Sequence, residues 1–399
     1  MKNNPANRIQ DYLVFGEYGG VNPSIEDTST FTFLSAEKMH EVFEGSEEGC
    51  YLYSRHMNPS TEYLAHVLAN MEETDAAQVA ASGMGAISCA ILEICSSGDE
   101  VISSRTIYGG TYALLKNFLP KFDINTHFVN ITDLDDVKSK INPKTKIIYC
   151  ESISNPLLEV ADLEELRKLA DEYNLTLIVD NTFSPLMITP KHFGAHIIVH
   201  SLTKFVNGAS DCVGGAICGS RDFILSLKSV SSGASMLLGP VMDSIRASSI
   251  FKNLRTLDVR MKQHCKNAQY VAEGLESLGL KVFYPGLASH PQHKLITKML
   301  TPGYGYGGMI TFDAKTEEIA NKLMIKMQEE LVGYFAVSLG FYKTLFSSPG
   351  SSTSSEIPKE EQVEMGISPG LVRFSIGIDS DIERSFERIE NSLKYAGLI

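Results

Sequence analysis

The 399-residue chain has seven cysteines (Cys50, Cys89, Cys95, Cys150, Cys212, Cys218 and Cys265), yet no CxxC pair and no Cys/His spacing that suits zinc. That argues against a zinc site and leaves most of them as small core residues. Long apolar runs are missing too: none reaches membrane-spanning length, and the start MKNNPANRIQDYL lacks the apolar stretch and small-residue cleavage site of a secretory signal. A cytoplasmic protein is expected. Basic charge is scarce, with 35 Lys and Arg against 48 Asp and Glu, a net charge of -13 and a pI near 5.3. No dense run of Lys or Arg offsets this locally, so a nucleic-acid partner is disfavoured. His192, His196 and His200 fall at helical i, i+4, i+8 spacing, but IIVH at 197 to 200 reads as a strand and breaks that face, so no metal is expected.

What is present is an ordinary globular composition, 43% hydrophobic and 21% charged, enough for a large core and for two domains. Residues 1–60 are polar and aromatic without a clear period and read as an arm that packs on something else. From there to about residue 250 the pattern alternates: helical YLAHVLANMEE, the strand EVISS, helical TYALLKNFL, then the apolar strands KIIYCES, TLIVDNT, HIIVHSLTK and VGGAICGS. Such alternation signals βαβ units, an α/β fold and a mostly parallel sheet covered by helices on both faces. In 251–399 a long helical segment from IFKNL to ESLG, one helix or two, leads into KVFYP, GGMITFDA and LVRFSIGI, strand-like segments around the helix EEIANKLMIKMQEEL. A smaller α+β domain is expected there. SSPGSSTSSEIPKEE (347–361) reads as a loop between strands.

Ligands of an open parallel sheet collect beyond the carboxyl ends of its strands. Two polar clusters lie at such ends: Asp180-Asn181-Thr182 after LIVD, and Ser201-Leu202-Thr203-Lys204 after HIIVH. A lysine to carry an aldehyde cofactor and an acid to protonate its ring nitrogen are what pyridoxal 5'-phosphate (PLP) requires. Ser201 and Thr203 offer hydroxyls to a phosphate, and Ser82-Gly83-Met84 opens a helix whose N–H groups suit an anion. Taken alone, Asp180 is an ordinary cap or turn residue, Lys204 a surface lysine, Arg373 a strand arginine and Tyr108 a core aromatic. GMG at 83–85 also suggests a dinucleotide loop, but Ser88 stands where the third glycine belongs, so a nicotinamide-dependent dehydrogenase is disfavoured.

In order along the chain, YSRHMNPS (53–60), ASGMGAI (81–87), IYGG (107–110), ESISNP (151–156), VDNT (179–182), HSLTKF (200–205), NGASDCVGG (207–215), YPGLASHPQH (284–293), AVSLG (336–340) and LVRFSIG (371–377) resemble the Cys/Met metabolism PLP-dependent family. The resemblance runs from about residue 20 to the C-terminus. It implies the type I PLP-dependent transferase fold, with Lys204 carrying the cofactor and shuttling protons, Asp180 under the ring nitrogen, and Tyr108 stacked on the ring as acid or base. Ser82, Gly83, Met84, Ser201 and Thr203 would hold the phosphate, joined by Tyr53 and Arg55 of a neighbouring subunit. Arg373 would clamp a substrate carboxylate, with Asn155 and Ser338 close by. A homotetramer built from two catalytic dimers is implied.

The activity implied is carbon–sulfur lysis by α,γ-elimination on methionine or homocysteine, with γ-replacement on O-acetyl- or O-succinylhomoserine as the alternative. Three departures bear on this choice. Family members acting on methionine carry a cysteine where this chain has Gly110, and a lysine where it has Ser235. Members acting on cystathionine carry Glu before SLG, where this chain has Val337, so a distal amino group has no evident partner. Phe341-Tyr342-Lys343 replaces small residues and an acid after SLG, suggesting a reshaped pocket.

Overall fold

Two sheets organise the chain, seen in a computed structural model that describes residues 4–33, 35–43, 50–352 and 354–399. The first holds β1 (Ala76–Ala80), β2 (Glu100–Ser104), β3 (Asn125–Val129), β4 (Thr145–Glu151), β5 (Thr176–Asp180), β6 (Ile197–Ser201) and β7 (Gly215–Gly219). Their spatial order is β1-β7-β6-β5-β4-β2-β3. β7 runs antiparallel to both of its neighbours, and the other pairings are parallel. β4 to β7 are buried almost throughout, which explains their continuous apolar runs: helices cover both faces. One apolar cluster, with Leu64, Val179, Ile198 and Met261, packs one face; another, with Ile91, Tyr149, Ile178 and Val199, packs the other.

The helices begin where side chains can take the first free N–H groups. Asn58 Oδ1 accepts from Ser60 N–H at 2.8 Å ahead of the helix Pro59–Glu72, and Ser82 Oγ accepts from Gly85 N–H at 3.0 Å ahead of Gly83–Ile94. TYALLKNFL is less regular than its apolar period predicts: an α-turn (Gly109–Ala113) passes into a π-turn (Leu114–Phe118) and then a 3₁₀ turn around Pro120. Proline cannot continue the α-helical ladder, so the segment changes its winding there.

The second sheet has five strands, β8 (Val282–Phe283), β9 (Met309–Asp313), β10 (Gly333–Phe335), β11 (Thr344–Ser347) and β12 (Leu371–Ser375), in the order β10-β11-β12-β9-β8. The sequence pattern points to three of these. β10 and β11 span only three and four residues, too short for alternation to register. The segment that reads as one helix or two is two, Ser244–Leu254 and Leu257–Ser277. Residues 347–361 do connect strands, β11 to β12, but include a 3₁₀ turn at Pro349–Ser351, and the short helix Lys359–Glu364 follows.

The turn after Ser338-Leu339 joins the two sheets at the site. Gly340 has φ +78°, and a Cβ there would lie 2.5 Å from Phe205 N and 2.8 Å from the Lys204 carbonyl carbon. Glycine lets this turn lie directly on the backbone of Lys204. Among the described residues no helix is long and apolar enough to cross a membrane.

Candidate active site

Glu151, Asp180 and Ser201 are the last residues of β4, β5 and β6, so three adjacent strands deliver polar groups to one edge of the sheet. Beyond that edge lies a cavity of ≈ 440 Å³. Ser82, Gly83, Met84, Tyr108, Asn155, Asp180, Ser201, Thr203, Lys204, Ser338 and Arg373 all line it.

Lys204 sits in the turn after β6, largely buried, and its Nζ donates to Ser338 Oγ at 2.9 Å. Burial, with the charge of Arg373, holds the ammonium down to about 8. A minority of the amine, about a tenth at pH 7, is therefore neutral and nucleophilic, far more than for an exposed lysine. Asp180 is buried, its Oδ1 accepting from Thr182 N–H at 2.9 Å and its Oδ2 from Tyr149 O–H at 3.3 Å. Burial pushes its carboxyl up; the Thr182 donors and the charge of His200 draw it down again. A buried carboxylate of this kind calls for a cationic partner.

Arg373, on β12, is 2% exposed. Its Nη1 donates to Asn155 Oδ1 at 3.0 Å and its Nη2 to the Ser338 carbonyl at 3.3 Å. Burial lowers the guanidinium to about 10, against the pull of Tyr108 and Glu151. Ser338 meets both cations, with its hydroxyl toward Lys204 and its carbonyl toward Arg373. It does so at φ +94°, a conformation that costs a non-glycine residue energy and gathers at functional sites.

Two acidic cavity residues escape the sequence reading. Glu151 accepts Tyr108 N–H at 3.0 Å and Asn155 N–H at 2.8 Å, so one carboxyl orients two neighbouring backbones. Burial and then Asp180 raise it to about 8. Its place in ESISNP, one residue past an apolar run, is the signal that could have found it. Glu356 comes from the 347–361 loop, whose composition carries no such signal. Tyr108 is 41% exposed, and burial, followed by the charge of Glu356, pushes its phenol up. A Cβ on Gly110 would lie 2.5 Å from Tyr108 Cε1, so the tyrosine ring occupies the space a side chain at 110 would need.

Tyr53 and Arg55 do not reach this cavity. Arg55 Nη1 donates to the Met236 carbonyl at 2.8 Å and lines a separate small hollow with Ser235, while Tyr53 is 44% exposed. Within one protomer Ser235 also lies away from Lys204: the short helix carrying it, Ala234–Leu238, lies beside Arg55. Phe341 lines a second hollow of ≈ 820 Å³ that shares Val337 and Ser338 with the first. The three histidines part company: His192 pairs with Glu73, His196 Nδ1 accepts Leu177 N–H at 2.9 Å, and His200 pairs with Glu72.

The groups present fit PLP. A desolvated carboxylate without a full charge partner suits a protonated ring nitrogen, a partly neutral buried amine suits an aldehyde, and the N-terminus of the Gly83–Ile94 helix suits a phosphate. Fold and site together define a type I PLP-dependent enzyme.

Known proteins narrow the class. The profile of the Cys/Met metabolism PLP-dependent enzymes matches residues 11–393, and the chain belongs to that family. It is 45% identical to a methionine gamma-lyase of Arabidopsis thaliana over 95% of this chain and 87% of that one. It is 38% identical to an L-methionine gamma-lyase of Fusobacterium nucleatum subsp. polymorphum, covering 93% and 95%. Among solved structures, a putative O-acetylhomoserine (thiol)-lyase of Campylobacter jejuni, containing N'-pyridoxyl-lysine-5'-monophosphate, superposes with TM-score 0.90 at 29% identity, covering 98% of this chain and all of that one.

Proposed function

We propose that this protein is a carbon–sulfur lyase acting by α,γ-elimination on methionine or homocysteine-type amino acids, releasing 2-oxobutyrate, ammonia and a thiol. The likeness to methionine gamma-lyases supports the reading. The observation that carries it is Val337, an apolar residue on the cavity wall that offers a distal amino group no carboxylate of its own.

PLP supplies an electron sink that makes first the Cα and then the Cβ proton of a bound amino acid removable. The chain's own residues do the rest. Lys204 holds the cofactor and moves the proton at Cα. Asp180 keeps the ring nitrogen protonated, and Ser82, Gly83, Met84, Ser201 and Thr203 hold the phosphate. Arg373, with Asn155 and Ser338, takes the substrate carboxylate in a fork that suits a planar guanidinium. Tyr108, on the cavity wall, would lie against the ring and give a proton to the departing thiolate; its raised phenol keeps that proton available at neutral pH.

Tyr53 and Arg55 do not line their own cavity, which supports a role in the site of a second copy. The complete site is then formed by a dimer, with two dimers making a tetramer. The arm's exposed Leu13, Phe15 and Tyr18 supply apolar surface for that contact.

The test is incubation of the purified holoenzyme with L-methionine alone, assaying 2-oxobutyrate and methanethiol. Both should form. Product that appears only when an acylhomoserine and a sulfur nucleophile are added would replace this reading with γ-replacement.

A further inference from the structure

His200 takes no part in the cavity. It precedes Ser201 on β6, and the alternation of a strand turns its side chain to the opposite face of the sheet. There its Nε2 lies 2.7 Å from Oε1 of Glu72, the last residue of the helix Pro59–Glu72, with the two side chains 0% and 1% exposed. Glu72 Oε2 and His200 Nδ1 are buried without a hydrogen-bond partner among the described residues. A carboxyl at that depth is costly without a hydrogen-bond partner, and the imidazole supplies one.

The pair is wired to the site. Glu72 Oε1 also accepts from Asn181 Nδ2 at 3.0 Å. Asn181 is held on every side: Nδ2 donates to the Ile188 carbonyl at 3.0 Å, Oδ1 accepts from Ser152 Oγ at 2.9 Å and Ser184 Oγ at 2.7 Å, and its N–H donates to the Val199 carbonyl at 2.9 Å. Asp180 precedes it. Thr182 comes next, donating its N–H to Asp180 Oδ1 at 2.9 Å and accepting Ser201 N–H on Oγ1 at 2.8 Å. Hydrogen bonds and the backbone of residues 180–182 thus connect Glu72, behind the sheet, to the groups in front of it.

We propose that Glu72 and His200 are positioning residues for the cofactor: a buried, hydrogen-bonded pair that locks Asn181, and with it the strand-end turn presenting Asp180 and Ser201. This rests on the reading of Asp180 as the ring-nitrogen partner. Partners standing behind a ligand typically change its affinity by roughly tenfold to a hundredfold. Glu72→Gln and His200→Asn should therefore weaken PLP binding by about tenfold or more, read by absorbance titration of the cofactor-free protein. Both should also move the pH midpoint of the bound cofactor's visible band, and Glu72→Asp, which keeps the charge, should recover part of each change. Asn181→Ala cuts the chain while leaving the pair intact and should weaken binding as well, which keeps the test open if Glu72→Gln fails to fold. Wild-type affinity and midpoint in these variants, even with a lower melting temperature, would overturn the proposal. Asp180→Asn separates the two levels: if it too leaves affinity and midpoint alone, the reading of Asp180 fails first.

Discussion

The floor and the outer wall of the cavity are built on different terms. On the floor, at the ends of β4, β5 and β6, each acidic group is buried and hydrogen-bonded: Asp180 to Thr182 and Tyr149, Glu151 to Tyr108 and Asn155. The outer wall comes from loops, with Val337 at 59% exposure and Glu356 also exposed. Arg373 and Ser338 stand where the two meet. The contrast shows where each task can reside: cofactor chemistry needs groups held to a fraction of an ångström by a rigid sheet, whereas substrate choice can reside in residues that pack loosely.

If the comparison holds, changes on the floor destroy cofactor function and changes on the wall only adjust affinity. Lys204→Ala should lower turnover by about a thousandfold or more and leave no cofactor mass on the protein after borohydride reduction, read by mass spectrometry. Covalently retained cofactor in that variant would break the comparison at its base.

A middle-sized effect concerns Glu151. Its carboxyl lies at about 8 in the fold against 4.5 when exposed, so between those values the folded chain keeps a proton that the unfolded chain has released. That contribution to stability is complete below the unfolded value and is lost as pH rises through the folded one. The unfolding midpoint of the cofactor-free protein should accordingly fall as pH rises from 4.5 to about 8, and Glu151→Gln should flatten that slope. An equally steep decline in the variant would assign it to other groups.

The smallest effect belongs to the wall. Because Glu356 is exposed, Glu356→Gln should change KM by no more than about fivefold. The PLP dissociation constant should stay as in the wild type. A weakened cofactor would show that the loop belongs to the floor after all.

Much of the cavity was legible in the sequence because parallel strands announce themselves as apolar runs, and the residues just past the end of each run lie at one edge of the sheet. Asp180, Ser201 and Lys204 could be found in that way, and the family resemblance added Tyr108, Asn155, Ser338 and Arg373. β10 and β11 were too short to show a period, and the π-turn at Leu114–Phe118 depends on local geometry that composition does not carry.

By itself, the order of residues determined the sheet architecture, the PLP requirement and the family. Periodicity and strand-end chemistry are local properties, readable a few residues at a time. Only the tertiary structure decided that Tyr53, Arg55 and Ser235 lie outside their own protomer's cavity, that Glu151 and Glu356 line it, and that His200 answers Glu72 rather than the other histidines. Those outcomes depend on contacts between residues tens to hundreds of positions apart, whose meeting is set by how sheets and helices pack, not by any pattern along the chain.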